Sequence, residues 1–162
     1  MNSITLRPVT AQDTAFLLSV YASTRAEELA MVPWTDEQKA AFVEMQFTAQ
    51  HRDYHTNYPD ADCDVILCDG TPAGRLYVHR RPTELHILDI TLLPEHRNAG
   101  IGGALLAQLI AEADAAGKTV GICVEKFNRA QTLYRRLGFV EADDLGVYWK
   151  MVRPVPTAGR SA

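Results

Sequence analysis

A strand that runs directly into a glycine-rich turn and then a helix is the most constraining feature of this 162-residue chain. Apolar residues alternate along residues 84–93, which predicts a strand, and Pro94 ends it. From Ile101 onward, apolar residues recur every fourth position until Gly117, which predicts a helix with a glycine C-cap. Residues 119–124 predict the next strand. This order of elements predicts an α/β (α+β) fold.

The rest of the chain continues the same mixture of helices and strands. Two residue pairs, Thr10 with Asp13 and Thr35 with Gln38, have the spacing of capping boxes at helix starts. The further predicted elements are a strand over 3–7, helices that end near Leu29 and His55, a hairpin over 63–79 that turns at Asp69-Gly70, a helix over 129–137 with Asn128 as its N-cap, and two strands within 139–152 around Gly146.

Length and composition favour one globular domain. The chain is 47% hydrophobic and 22% charged, which is sufficient for residues 1–153 to bury a full core. Residues 154–162 are rich in Pro, Ser, Gly and Ala and predict a disordered tail. The formal net charge of −4 argues against a general polyanion-binding surface, so we expect no nucleic-acid partner.

The sequence lacks both a membrane-spanning run and a signal-peptide pattern, and this predicts its localisation. No apolar run approaches the roughly 18 residues of a membrane span, and the N-terminus has no signal-peptide pattern, so we expect a cytoplasmic protein with no membrane contact. Cys63, Cys68 and Cys123 make an odd count without a C-x-x-C pair, which is typical of reduced thiols. His51 and His55 have helical spacing but lack the glutamate of an H-E-x-x-H motif, so we expect no metal.

The segment between the long strand and the third helix is glycine-rich. Gly100, Gly102 and Gly103 carry no side chains, so an anion could approach backbone N–H groups at the positive end of the helix dipole. The segment lacks the Lys-Ser/Thr ending of a nucleotide-binding P-loop and does not fit the G-x-G-x-x-G dinucleotide fingerprint. Two interpretations remain: a phosphate-binding turn and an ordinary glycine-rich helix start.

The motifs around this turn resemble the GNAT acetyltransferases over residues 84–139. The residues that carry the resemblance are Arg97-x-x-Gly100-x-Gly102, Asn128, Leu133-Tyr134 and Leu137-Gly138-Phe139. The resemblance implies a mixed central sheet of six to seven strands, splayed in the middle and flanked by about four helices. It also implies that acetyl-CoA binds in the cleft and that its acetyl group is transferred to an amine.

The resemblance also assigns the cofactor contacts. The backbone of Ile90, Thr91 and Leu92 would pair with the pantetheine arm. The N–H groups that would hold the pyrophosphate are those of Asn98, Ala99, Gly100, Ile101, Gly102 and Gly103. Arg97 occupies the first motif position, where its side chain either braces the turn or contacts phosphate. Asn128 corresponds to a pantetheine ligand and is also the predicted helix cap.

Tyr134 corresponds to the general acid of the family. A phenol with a pKa near 10 can protonate a leaving thiolate whose pKa is about 8.5. The alternative is that Tyr134 is a packing residue on an amphipathic helix.

A general base is harder to assign. An alkyl ammonium group with a pKa of about 10.4 costs about 4.6 kcal/mol to deprotonate at pH 7. His86, four residues before Ile90 on the same strand, is the first candidate, and its unperturbed pKa suits the task. Asp89, which faces the other way unless a β-bulge intervenes, Glu125 and water are the alternatives.

Cys123 stands where some bacterial relatives have a glutamate. A covalent acetyl carrier is conceivable at this position, but a thiol in an apolar strand is more often a small core residue, so we expect Cys123 to be buried.

The sequence thus predicts an acetyl-CoA-dependent N-acetyltransferase that needs no metal and acts on a primary amine of a small molecule or peptide by direct attack in a ternary complex. The alternatives are a non-catalytic acyl-CoA-binding sensor and a toxin-type aminoacyl-tRNA acetyltransferase. The acceptor, the length of the acyl group and the oligomeric state, with a homodimer common in the family, stay open.

Overall fold

The computed structural model describes residues 3–156. Within this range the strands are β1 Ile4–Pro8, β2 Asp62–Cys68, β3 Thr71–Arg80, β4 Glu84–Leu92, β5 Thr119–Glu125, β6 Val140–Asp144 and β7 Tyr148–Arg153. The α-helices are α1 Thr14–Ala30, α2 Asp36–Asn57, α3 Ile101–Ala116 and α4 Gln131–Arg136. None of these helices is long and apolar enough to cross a membrane.

The strands form a seven-stranded mixed sheet in the order β1-β2-β3-β4-β5-β7-β6. β4 and β5 are parallel, whereas β5 and β6 each pair with β7 in the antiparallel sense. A parallel pair needs a crossover connection, which α3 provides. The predicted fold class, a mixed sheet flanked by four helices, is confirmed.

β4 and β5 pair only at their beginnings. Their paired register runs from Glu84 and Thr119 to Ile87 and Ile122. β4 then continues to Leu92 and β5 to Glu125. The two parallel strands therefore part after four residue pairs, as expected for a sheet that is splayed in the middle.

The chain divides into two compact units: residues up to Leu76 together with Ile90–Arg97, and Tyr77–Asp89 together with the chain from Asn98. The prediction of one domain over 1–153 stays a prediction. Residues 154–156 lie outside the helices and strands, and the rest of the predicted tail, 157–162, lies outside the described residues.

In the first unit, α1 and α2 pack on each other through a small apolar cluster. Leu17 and Tyr21 of α1 meet Val43 and Phe47 of α2, and all four side chains are buried. Both predicted capping boxes are present. The box at Thr35 starts α2 directly, whereas the box at Thr10 caps a single 3₁₀ turn, so α1 begins later.

The second unit contains α3 and α4 on one face of β5 and β7. The face is identified by Arg153, whose guanidinium contacts Asp114 of α3 at 2.7 Å and the Leu137 carbonyl beyond α4 at 3.2 Å. Because side chains alternate along a strand, Met151 shares this face and is buried, while Lys150 lies on the opposite face. Gly117 caps α3 with a φ of 67°, as predicted.

Candidate active site

The turn between β4 and α3 leads into an open helix N-terminus. Gly100 has a φ of 82° and Asn98 a φ of 60°, so the backbone reverses through two left-handed residues. The first helical hydrogen bond runs from the Ala104 N–H to the Gly100 carbonyl at 3.0 Å. The N–H groups of Ile101, Gly102 and Gly103 therefore precede the helical hydrogen-bond ladder and have no acceptor within it.

Space for a ligand lies beside this turn. A Cβ atom built at Gly100, Gly102 or Gly103 would find no atom within 4 Å. Backbone N–H groups at a helix N-terminus, unobstructed by side chains, form a suitable site for an anion such as a diphosphate. This geometry favours the phosphate-binding interpretation over an ordinary glycine-rich helix start.

Arg97 braces the strand that precedes the turn. Its Nε donates to the Leu92 carbonyl at 3.0 Å, and its Nη2 donates to the Ser23 hydroxyl of α1 at 3.3 Å. The sequence left two roles open for Arg97, and these two hydrogen bonds correspond to the first, in which the side chain braces the turn. A role in phosphate binding stays a prediction.

The pairing of β3 with β4 contains a β-bulge. The Arg81 N–H bonds to the Glu84 carbonyl, and a regular ladder counted from this pair would place Ala73 opposite Leu92. Instead, the Leu93 N–H bonds to the Ala73 carbonyl at 2.8 Å. β4 therefore has one extra residue between these two pairs, which is the definition of a bulge.

The resemblance assigns Ile90, Thr91 and Leu92 to the pantetheine arm. These three residues are the last of β4, and all are half-buried.

Tyr134 is buried on α4, with 5% of its surface exposed. Its ring lies against Phe139, with the ring centroids 5.7 Å apart. Burial, with a smaller contribution from the Asp89 carboxylate, raises the pKa of Tyr134 to about 12. The phenol is therefore protonated throughout the neutral pH range, and Asp89 is its electrostatic neighbour. Asp89 thus lies on the side of the sheet that carries Tyr134, opposite His86, as the alternation of β4 predicts, and its role as a base stays a prediction.

His86 lies in a network of charged side chains. The Lys150 Nζ is 3.3 Å from the His86 Nδ1 and donates to Glu84 at 2.8 Å, while Arg81 donates to the same carboxylate at 2.7 Å. Burial, together with the charge of Lys150, lowers the pKa of His86 to about 4. The imidazole is therefore neutral at pH 7 but has a much lower proton affinity than its ordinary pKa suggests.

Asp89 is the electrostatic neighbour of Tyr134, whereas His86 belongs to the network of Lys150. His86 and Glu84 contact Lys150, which lies on the sheet face opposite α3 and α4. Tyr134 belongs to α4 and lies on the other face. The side chains of His86 and Tyr134, the two residues predicted to be catalytic, thus lie on opposite faces of the sheet.

The expectation that Cys123 is a core residue is wrong. Cys123 is exposed, whereas Ile122 and Val124, its neighbours on β5, are buried. The alternation of the strand directs Cys123 away from the face on which Ile122 and Val124 are buried. Glu125, another candidate base, is also exposed at the end of β5.

The prediction that Asn128 is the N-cap of this helix is wrong, because the N-cap of α4 is Ala130 and Asn128 lies in the turn before it. Its Oδ1 accepts a hydrogen bond from the Ala130 N–H at 2.8 Å, and α4 begins at Gln131 instead of residue 129. This hydrogen bond satisfies one backbone donor of the turn that precedes α4. The role of Asn128 on the pantetheine arm stays a prediction.

Three features near the site were not found from the sequence. The ion pair between Glu84 and Lys150 joins residues 66 positions apart, and only the pairing of β5 with both β4 and β7 brings them together. Gly74 and Gly121 each face an atom that would collide with a Cβ. Glycine in a strand signals a close approach, but the sequence does not identify the atom that approaches.

The described part of the chain, residues 3–156, contains no cluster of three or more His, Cys, Asp or Glu side chains arranged to hold a metal ion. The groups described above are the backbone amides that start α3, the Tyr134 and Asp89 side chains, and the charged network around His86.

Parallel strands that part within a mixed sheet, joined by a glycine-rich turn and a helix, are the architecture expected of the GNAT type. The acetyltransferase (GNAT) family profile matches residues 24–139, which is most of the chain. The chain therefore belongs to the GNAT acetyltransferase family.

Individual relatives agree with this assignment. The [ribosomal protein bS18]-alanine N-acetyltransferase of Haemophilus influenzae is 33% identical over 78 residues, which cover 48% of this chain and 51% of that protein. The match thus spans about half the length of this curated relative.

Among solved structures, the PaiA N-acetyltransferase of Thermoplasma acidophilum in complex with coenzyme A has a TM-score of 0.70 at 19% identity, covering 94% of this chain and 99% of that one. The ribosomal-protein-S18-alanine N-acetyltransferase of Escherichia coli has a TM-score of 0.63 at 22% identity, covering 100% and 99%. At these identities the likeness concerns the fold.

Proposed function

We propose that the protein is an N-acetyltransferase that transfers the acetyl group of acetyl-CoA to a primary amine by direct attack within a ternary complex. The observation that carries the proposal is the turn between β4 and α3, where left-handed Asn98 and Gly100 lead into three N–H groups beside open space. Family membership supports the same donor, and one structural neighbour was solved with coenzyme A.

In the proposed complex, the N–H groups from Asn98 to Gly103 hold the diphosphate of the coenzyme, and the backbone of residues 90–92 pairs with its pantetheine arm. A diphosphate suits these donors because hydrogen bonds to charged acceptors are about twice as strong as those between neutral groups. Binding both substrates together makes the attack of the amine on the thioester effectively unimolecular.

Tyr134 is the proposed general acid. As the bond between the acetyl carbon and the coenzyme A sulfur breaks, the phenol donates its proton to the sulfur. A pKa of about 12 ensures that the phenol carries this proton at every physiological pH. The same buried position that raises the pKa also fixes the hydroxyl, because the ring is packed against Phe139.

Removal of the amine proton is the step that the sequence assigned first to His86. With its pKa lowered to about 4 by burial and Lys150, His86 is a weak proton acceptor. Asp89 is an electrostatic neighbour of Tyr134, and a carboxylate attracts a cationic amine. Both residues are therefore candidates, with Glu125 and water as the alternatives, and substitution of each separates them.

We propose a primary amine of a small molecule or peptide as the acceptor. The Haemophilus influenzae relative acts, by its name, on an alanine of ribosomal protein bS18, which favours the α-amino group of a peptide as the first acceptor to test. A second candidate, an acyl-CoA-binding sensor without chemistry, is favoured by the low pKa of His86 and by Cys123 in place of a glutamate.

One assay separates the enzyme from the sensor. Release of coenzyme A from acetyl-CoA is measured across small amines, amino acids, polyamines and short peptides, first with the wild-type protein and then with His86→Ala, Asp89→Asn and Glu125→Gln. An enzyme releases the thiol with at least one acceptor, and the true base is the residue whose variant loses this activity. Binding of acetyl-CoA without release in any reaction supports the sensor.

A further inference from the structure

Gly74 lies on β3 where that strand passes the end of β4. A Cβ at this position would lie 2.1 Å from the Thr91 carbonyl oxygen and 2.9 Å from the Leu92 Cα, whereas ordinary contact with a Cβ begins at 3.4 Å. Both atoms belong to the backbone, so they cannot rotate away as the end of a side chain can. Any larger residue at position 74 must therefore move the two strands apart by about 1 Å.

The segment that Gly74 contacts is the C-terminal end of β4. Beside Gly74, the Ala73 carbonyl accepts a hydrogen bond from the Leu93 N–H at 2.8 Å. From another direction, the Arg97 Nε holds the Leu92 carbonyl at 3.0 Å. The end of β4 is thus fixed by β3 and by the Arg97 side chain. The close approach of β3 requires a residue without a Cβ at position 74.

We propose that Gly74 is a positioning residue for coenzyme A. The close approach of β3 at Gly74 holds the backbone of residues 90–92 in the position in which it pairs with the pantetheine arm. This inference rests on the proposed function, because it assumes that coenzyme A binds along this end of β4. A larger residue at position 74 changes the direction of the Thr91 and Leu92 backbone groups and weakens binding of the coenzyme.

Gly121 offers a matched control. A Cβ there would also lie 2.1 Å from its nearest neighbour, but that neighbour is Oε2 of the Glu84 side chain. The Glu84 carboxylate can move aside by rotation of its side chain, with loss of its hydrogen bond from Lys150, whereas the Thr91 peptide group cannot rotate away. Gly121→Ala therefore makes the same chemical change in a strand and leaves the end of β4 in place.

Val78 offers a control for stability alone. It lies on β3, as Gly74 does, and is buried with 1% of its surface exposed. Val78→Ala removes core contacts and lowers the thermal midpoint without changing the contact between Gly74 and Thr91.

Titration calorimetry of the full chain with coenzyme A tests the proposal. Gly74→Ala is expected to raise the Kd about tenfold or more, which corresponds to the loss of one or two backbone hydrogen bonds. Gly121→Ala and Val78→Ala are expected to stay within threefold of the wild type. An unchanged Kd for Gly74→Ala, or an equal rise in the two controls, overturns the proposal. No binding by the wild-type protein overturns the proposed function itself.

If Gly74→Ala does not fold, hydrogen exchange of the wild-type protein provides the test. Because β3 fixes the end of β4 in advance, the Leu93 amide is expected to be protected before coenzyme A is added. A Leu93 amide that exchanges as freely as a loop, and becomes protected only in the presence of the coenzyme, overturns the proposal.

Discussion

The Tyr134 hydroxyl is a single group whose removal separates chemistry from structure. Tyr134→Phe keeps the ring and its contact with Phe139 but removes the proton donor. We expect kcat to fall by about 10² to 10⁴, the usual contribution of general acid catalysis, while the Kd for acetyl-CoA is unchanged. Steady-state kinetics and calorimetry measure the two quantities. A kcat equal to that of the wild type would remove Tyr134 from the mechanism.

The lowered pKa of His86 predicts how the free energy of unfolding depends on pH. Its pKa is about 4 in the folded protein and near 6.5 in an unfolded chain. As the pH falls below 6.5, the unfolded chain binds a proton that the folded protein does not, so stability is lost. Between pH 7 and pH 5 this effect is worth about 2 kcal/mol. The effect is complete only when the pH has fallen through the folded pKa.

Urea unfolding of the wild type and of His86→Gln at both pH values measures this contribution. The wild type is expected to lose about 2 kcal/mol more than the variant over that interval, because glutamine does not titrate. Equal losses in the two proteins would mean that the imidazole is not held in its neutral form by burial and Lys150.

At the scale of elements, the turn between β4 and α3 is the part on which function depends. Gly100 has a φ of 82°, and Gly146, in the turn between β6 and β7, has a φ of 84°. A Cβ at either position would meet no atom within 4 Å, so alanine introduces only backbone strain. Each alanine variant should lose about 1–2 kcal/mol of stability.

The two variants should differ in coenzyme binding. Gly100→Ala disturbs the N–H groups that start α3, so its Kd for coenzyme A should rise, whereas Gly146→Ala should bind as the wild type does. Thermal unfolding and calorimetry on both proteins provide the comparison. Equal affinities in the two variants would mean that the turn does not form the diphosphate site.

The sequence predicted elements and turns better than it predicted contacts. Periodicity and capping pairs located α2, α3 and the strands, because these signals are local, and the left-handed Gly100 and Gly117 follow from the conformational freedom of glycine. α1 and α4 begin later than predicted because a 3₁₀ turn and the Asn128 turn precede them. Cap residues are local, but the length of the turn that follows is set by tertiary packing.

At the scale of the whole molecule, the surroundings of the candidate base could not be predicted. The proximity of His86 to Lys150, and the resulting low pKa, depends on strands paired across 64 residues of chain. The proximity of Asp89 to Tyr134 likewise joins residues that are distant in the sequence. The exposed face that carries Cys123 depends on where α3 and α4 pack. Each of these features arises from the sheet as a whole, which single-residue patterns do not encode.

Binding of coenzyme A at the start of α3 is the central claim, and a crystal structure of the full chain with coenzyme A tests it most directly. We predict that the diphosphate oxygens lie about 2.7–3.2 Å from the N–H nitrogens of Ile101, Gly102 and Gly103, the range of ordinary hydrogen bonds. A structure with the coenzyme bound elsewhere, or without it in crystals grown at millimolar coenzyme A, would contradict the claim.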